Sequence, residues 1–122
     1  AKQPSDTSYN GWSNYETWAT GLWIGNEQWS NEAVHDLARD VIEQVRDGVI
    51  EPFYPGQSTG AMERIHMVDL LTDFVEDHML HRPEEASLSS DLLNAGIQEI
   101  NWHELADSYL ATVREEGYRI RP

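Results

Sequence analysis

The side chains best equipped for chemistry in this 122-residue chain are carboxylates and histidines. Asp73, Asp77, His78 and His81 are spaced so that a helix would bring them toward one another, and Asp and His are ligands for zinc. The run lacks the His-Glu-x-x-His arrangement of a zinc protease. A His in the last turn of a helix is also accounted for by the helix dipole, so no metal site is assigned. There is no Cys, which removes disulfides, thiolate zinc sites and a thiol nucleophile. No Gly-rich phosphate loop or nucleophile elbow occurs. Paired carboxylates are too common in so acidic a chain to single out an acid–base pair. The expectation is a protein that binds rather than catalyses, with no catalytic residue, cofactor or metal.

The carboxylates carry a different message when their spacing is followed. Glu32, Asp36, Asp40, Glu43 and Asp47 step by four, four, three and four. A helix would place them on one face, about 4.5–6 Å apart along its axis. That is near the spacing of successive phosphates along one strand of nucleic acid. Asp69, Asp73, Glu76 and Asp77 form a second acidic face, and Glu99, Glu104 and Asp107 add to it further on. The chain holds 22 acidic and 8 basic residues, for a formal charge of −14. Seven of the bases are Arg and the other is Lys2, with Arg39 and Arg46 the main ones interleaved on the first acidic face. An ordinary exposed helix would mix Glu with Lys at i,i+4. Such a surface repels nucleic acid and anionic membranes and attracts basic partners. Solubility, a saline host and mimicry of a nucleic-acid backbone each account for the charge.

Trp12, Trp18, Trp23 and Trp29 fall close together, with Tyr9 and Tyr15 beside them, and Trp102 stands apart. Trp18 and Trp102 lie near capping residues on apolar stripes and are expected to be buried, each worth ~3–5 kcal/mol if fully so. Trp23 and Trp29 lie off the stripe and are expected to be exposed anchors of a protein interface. A stacking platform for nucleic acid would need a basic groove alongside.

These side chains must be positioned by helices. Capping signals and apolar periodicity predict five, near 14–25, 31–47, 59–80, 88–95 and 102–116, with no sheet of consequence. Ser13 with Glu16 and Asn101 with Glu104 have capping-box spacing. Tyr15, Trp18, Ala19 and Leu22 form the expected inner face of the first helix. Ser30 or Asn31 caps the second, whose stripe is Val34, Leu37, Ala38, Val41, Ile42 and Val45, closed by Gly48. Pro52 and Pro55 define a connector that tucks Phe53 and Tyr54 against the core. Ile65, Val68, Leu71, Val75 and Met79, with Phe74 beside them, mark the third helix, ended by Arg82-Pro83. Gly96 closes the fourth, and Gly117 closes the fifth after Leu105, Ala106, Tyr109, Leu110 and Val113. His35-Asp36-Leu37-Ala38 echoes His103-Glu104-Leu105-Ala106, as two helices of like pattern will. The fold class is therefore all-α, a compact bundle of five helices with a Pro-containing connector after the second. Residues 1–10 are expected to be a disordered lead-in and 11–122 one domain. No apolar run is long enough to span a membrane, and the cytosol is the expected location.

The run from Tyr9 to Trp18, with Asn14-Tyr15-Glu16-Thr17-Trp18 at its centre, resembles an N-terminal signature of small phage and mobile-element proteins. Asn101-Trp102-His103-Glu104-Leu105-Ala106 is similar to a run near the C-terminus of the same group. The resemblance implies a setting, genes that act against host defences or regulate host enzymes, and no catalytic residue. Trp18 and Trp102 each sit near a helix start with a capping Glu, and the two ends are therefore expected to pack together. The expected function is that of an acidic phage- or plasmid-type inhibitor occupying the nucleic-acid site of a host restriction or CRISPR protein. Its partner would be a host protein with a basic nucleic-acid-binding surface, with no direct nucleic acid and no membrane. Glu32, Asp36, Asp40, Glu43 and Asp47, with Asp69, Asp73, Glu76 and Asp77 and with Trp23 and Trp29, would bind it. The alternative is a generic helical interaction or assembly module whose acidity reflects salt or solubility, and a small hydrolase is a further rival.

Overall fold

The computed structural model describes residues 9–81 and 85–120, apart from the side chains of 117–120. Five helices account for it: α1 Tyr15–Asn26, α2 Gln28–Arg46, α3 Thr59–His78, α4 Leu88–Glu99 and α5 Trp102–Ile120. Among the described residues the one β feature is an isolated bridge between Tyr9 and Trp12. The all-α bundle expected from periodicity is what forms. α2, α3 and α5 pack on one another, α1 lies across α2 and α5, and α4 touches α1.

The core is the meeting of three apolar stripes. Val34, Ala38, Val41 and Val45 come from α2, Met62, Met67, Leu71 and Val75 from α3, and Leu105, Ala106, Leu110 and Val113 from α5, with Ile24 added by α1. On α3 the centre is Met67, while Ile65, Val68, Phe74 and Met79 are half-buried at the margins. Tyr109 is also marginal. Its ring meets His35 edge-on at 5.6 Å, and burial pushes its hydroxyl pKa up to about 12. Glu63 is buried beside this core and accepts a 2.7 Å hydrogen bond from Arg114 of α5. Phe53 and Tyr54 do not tuck in. Both are exposed, and Phe53 stacks on His66 at 5.6 Å.

Several helix ends differ from their sequence signals. α2 starts at Gln28 because Ser30 serves another purpose: it is buried, and its hydroxyl donates to the carbonyl of Ile24 at 2.7 Å, closing the α1–α2 joint. Gly96 and Gly117 do not stop their helices. Gly48 does. Its φ of 80° is left-handed, and Val49 N–H donates to Gln44 O while Gly48 N–H donates to Val45 O, a Schellman closure. α3 ends at His78 with Met79 as its cap, two residues short of the expected end, and Arg82-Pro83 lies outside the described residues. So do residues 1–8 of the expected lead-in and the tail beyond Ile120. Tyr9 and Asn10, also assigned to that lead-in, are part of a tight turn. Asn10 and Gly11 have φ of 49° and 89°, and Tyr9 and Trp12 exchange both backbone hydrogen bonds at 2.7 and 2.8 Å. This is the Asn-Gly turn whose twist suits paired strands.

The two ends of the chain are joined by a polar clasp. Asn14, not Ser13, caps α1, its Oδ1 accepting from the N–H and hydroxyl of Thr17 at 2.9 and 2.6 Å. The fully buried Thr17 Oγ1 in turn accepts the N–H of Asn101 at 2.8 Å. Asn14 Nδ2 donates to the carbonyl of Glu99 at 2.7 Å. Ser13 donates both its N–H and its hydroxyl to Glu104 Oε1, at 3.1 and 2.8 Å. Glu104 therefore does not close a box on Asn101, although Asn101 Oδ1 accepts the Glu104 N–H at 3.1 Å. The clasp turns Thr17, Gly21 and Ile24 inward. A Cβ on Gly21 would sit 3.3 Å from Leu105 and 3.7 Å from Trp12, so α1 approaches closely there. The expected inner face is thereby rotated outward: Tyr15 and Leu22 are exposed. Trp18 is half-buried in a surface cluster with Tyr9 and Tyr15, ring centroids 4.7 and 5.6 Å away. Trp102 is also half-buried, resting on the core rather than inside it.

Two predictions follow from these buried polar groups. Thr17→Val keeps the shape but strands the Asn101 N–H. It should cost about 1–3 kcal/mol in chemical denaturation, and Thr17→Ser should cost less. Arg114→Ala leaves the Glu63 carboxylate buried without its cation, so it should lower stability more than Arg64→Ala, whose partner Asp107 stays in water.

Candidate partner-binding surfaces

The apolar stripe of α2 faces α3 and α5, so its opposite side is turned to solvent. That side carries Glu32, Asp36, Asp40 and Asp47 exposed and Glu43 half-buried. On α3, Asp69, Asp73 and Asp77 are exposed and Glu76 is half-buried. Both acidic faces therefore exist as surfaces. They are not equally bare. Arg39 pairs with Asp36, Arg46 pairs with Asp47 at 3.1 Å, and Gln28 donates to Glu32 at 2.8 Å. Among the described residues Asp40, Asp69, Asp73 and Asp77 form no ion pair.

The carboxylates read as additions from the last helix are engaged elsewhere. Asp107 receives Arg64 in a two-pronged pair at 2.9 and 2.6 Å, which raises the guanidinium pKa further. Glu104 is held by Ser13. Glu99 lies at the end of α4, a helix that touches α1 and not α2. No group of three or more His, Asp or Glu able to hold a metal is found among the described residues.

The two faces lie on adjoining helices, and an aromatic pair links them. Trp29 continues the α2 acidic series, three residues before Glu32. Half its surface is exposed, yet its ring lies 5.8 Å from that of Phe74 on α3. Phe74 follows Asp73 and precedes Asp77 by three, and its ring also meets His78 at 5.2 Å. The start of α2 and the end of α3 thus present one patch, an exposed indole with Glu32 on one side and Asp73 and Asp77 on the other. Sequence periodicity placed Trp29 off the main stripe but could not show that Phe74 reaches it.

Trp23 belongs to a second surface. It is 60% exposed at the end of α1 and borders a groove of about 450 Å³ between α1, the end of α3 and α4. Leu92, Leu93 and Ile97 of α4, and Ile100 just past its end, face it. Their helical spacing was legible in the sequence, but nothing there showed that they lack a full complement of neighbours.

Residues 5–111 match a family of unknown function, DUF7249. The chain belongs to this family. The region matched takes in both halves of the clasp, both acidic faces and the groove. No curated protein and no solved structure matches the chain.

Because Asp40, Asp69, Asp73 and Asp77 repel without ion-pair compensation, converting them to Asn should raise the melting temperature in low salt. The gain should shrink as salt screens the repulsion. Asp107→Asn should act in the opposite sense by releasing Arg64. Equal effects from the two changes would show that the faces are not electrostatically distinct.

Proposed function

We propose that this protein is a phage- or plasmid-type inhibitor that occupies the nucleic-acid-binding surface of a host defence protein, of the restriction or CRISPR class. The observation that carries the reading is the Trp29–Phe74 pair set between two exposed rows of carboxylates. Carboxylates at phosphate-like intervals would meet the Arg and Lys of the target, and the indole would supply apolar contact at the centre, where interface energy concentrates. The bare Asp40, Asp69, Asp73 and Asp77 supply the long-range field, and Asp36 and Asp47 would exchange Arg39 and Arg46 for the partner's cations. The resemblance of the two chain ends to phage and mobile-element proteins supports the setting. On this reading the protein performs no catalysis and acts within the cytosol of the host.

The test compares two sets of substitutions. Changing Glu32, Asp36, Asp40, Asp69, Asp73 and Asp77 to Gln or Asn should weaken capture of nucleic-acid enzymes from host lysate, identified by mass spectrometry. Competitor DNA should displace the captured enzyme. In kinetics with the recovered target, association should slow more than dissociation accelerates, because the field steers the encounter. Lys at the same positions should act more strongly than Gln. Glu85 and Asp91 form the control set, both exposed and carried outside α2 and α3. Equal weakening by both sets would reduce the effect to bulk charge, and no weakening by either would leave the acidity as an adaptation to salt or solubility.

A further inference from the structure

We propose that the groove between α1, the end of α3 and α4 is a second and separate docking site, and that it receives a basic amphipathic helix of a partner protein. α4 is a helix of 12 residues without one buried side chain. Short helices in water owe their stability to packing of an apolar face, yet Leu88 and Leu92 are 75% and 64% exposed. The groove beside them is floored by Val75, Met79 and Ile97 and bordered by Trp23 and Leu92. At ~1.5 Å per residue α4 is about 18 Å long, so the groove it borders suits some three turns of helix laid alongside.

Charge selects the occupant. Among the described residues the groove is lined by Glu16 and by no Arg or Lys. Glu16 and Trp23, seven residues apart, share a face of α1, and Glu99 shares a face of α4 with Leu92. The carbonyl of Glu99 accepts from Asn14, so Glu99 stands at the same end of the groove as Glu16. An apolar trough with an acidic end, on a chain of net charge −14, fits a helix with Leu-like residues on one side and Lys or Arg flanking them. It disfavours a second copy of this chain, which would bring the same charge with it.

Gly96 supplies the decisive variant. It lines the groove, and a Cβ placed there meets nothing within 4 Å. Gly96→Leu should fill the trough while improving the helix, since an interior Gly disfavours helix relative to residues with a side chain. The probe is a synthetic peptide of about four helical turns, with Leu at i, i+3, i+4 and i+7 and Lys elsewhere. It is titrated at about 0.15 M salt so that diffuse attraction is screened. Controls are the same composition scrambled and a Leu/Glu version of the same period. The periodic Leu/Lys peptide should bind at least about tenfold more tightly than either control. Gly96→Leu, Leu92→Ser and Glu16→Lys should each lose about that factor, with Gly96→Leu melting no lower than the parent. The combined Asp40, Asp69 and Asp73 to Asn variant should still bind, which separates this site from the acidic faces. Scrambled peptide binding as well as the periodic one, or Gly96→Leu binding like the parent, would overturn the proposal. So would a dimer in sedimentation that Gly96→Leu dissociates, since that would make a second copy the occupant.

Discussion

A threonine hydroxyl shut away from water must find its partners inside the protein, because leaving it unpaired costs more than the hydrogen bonds return. Thr17 finds an acceptor three residues back in Asn14 and a donor 84 residues on in the Asn101 backbone. That requirement fixes how α1 sits on the bundle. With Thr17 inward, Gly21 and Ile24 must also turn inward, and the absence of a side chain at Gly21 lets Leu105 and Trp12 close over the helix. The caps of α1 and α5 thereby become one structure, with Ser13 serving Glu104 and Asn14 serving Glu99.

The same constraint shapes the surface. Once the polar side of α1 is held inside, its aromatic side has nowhere to go but outward. Tyr15 and Trp18 gather with Tyr9 on the Asn-Gly turn, and Trp23 is left beside the groove. α4 is carried by α1 alone, standing off α2, α3 and α5, and its leucines remain open for that reason. The acidic faces depend on the clasp less directly. They are the outer sides of α2 and α3, whose inner sides are committed to the common core. What joins them is Trp29, placed at the first turn of α2 by the short α1–α2 joint that Ser30 closes.

Where apolar periodicity was strong, the sequence was a sufficient guide. Val34, Ala38, Val41 and Val45 on α2 and Leu105, Ala106, Leu110 and Val113 on α5 read directly as core. Gly48 read as a stop because its left-handed conformation follows from local chemistry. The failures share a cause. Ser13, Ser30 and Glu104 carry the local signature of caps, but Ser13 and Glu104 bond to each other across the fold, and Ser30 turns back to the last turn of α1. On α1 the aromatic stripe outshone the Thr17–Gly21–Ile24 face, whose role depends on a partner nearly a whole chain away. Phe53 and Tyr54 were read as core from hydrophobicity alone, although two prolines leave that segment on the surface. For the candidate site, the exposure of Asp40, Asp69, Asp73 and Asp77 followed from helical phase. The pairing of Asp107 with Arg64, and the contact between Trp29 and Phe74, required knowing which helices are neighbours.

Amide hydrogen exchange at Asn101 tests the central claim most directly. Its N–H belongs to no helix ladder, being the residue before α5, and its acceptor is the buried Thr17 hydroxyl. If the clasp organises the fold, this amide should exchange by the same global opening as the core amides of α2 and α5, with comparable protection. Exchange as fast as that of an exposed loop amide, with the core still protected, would show that the two ends meet without holding the bundle together.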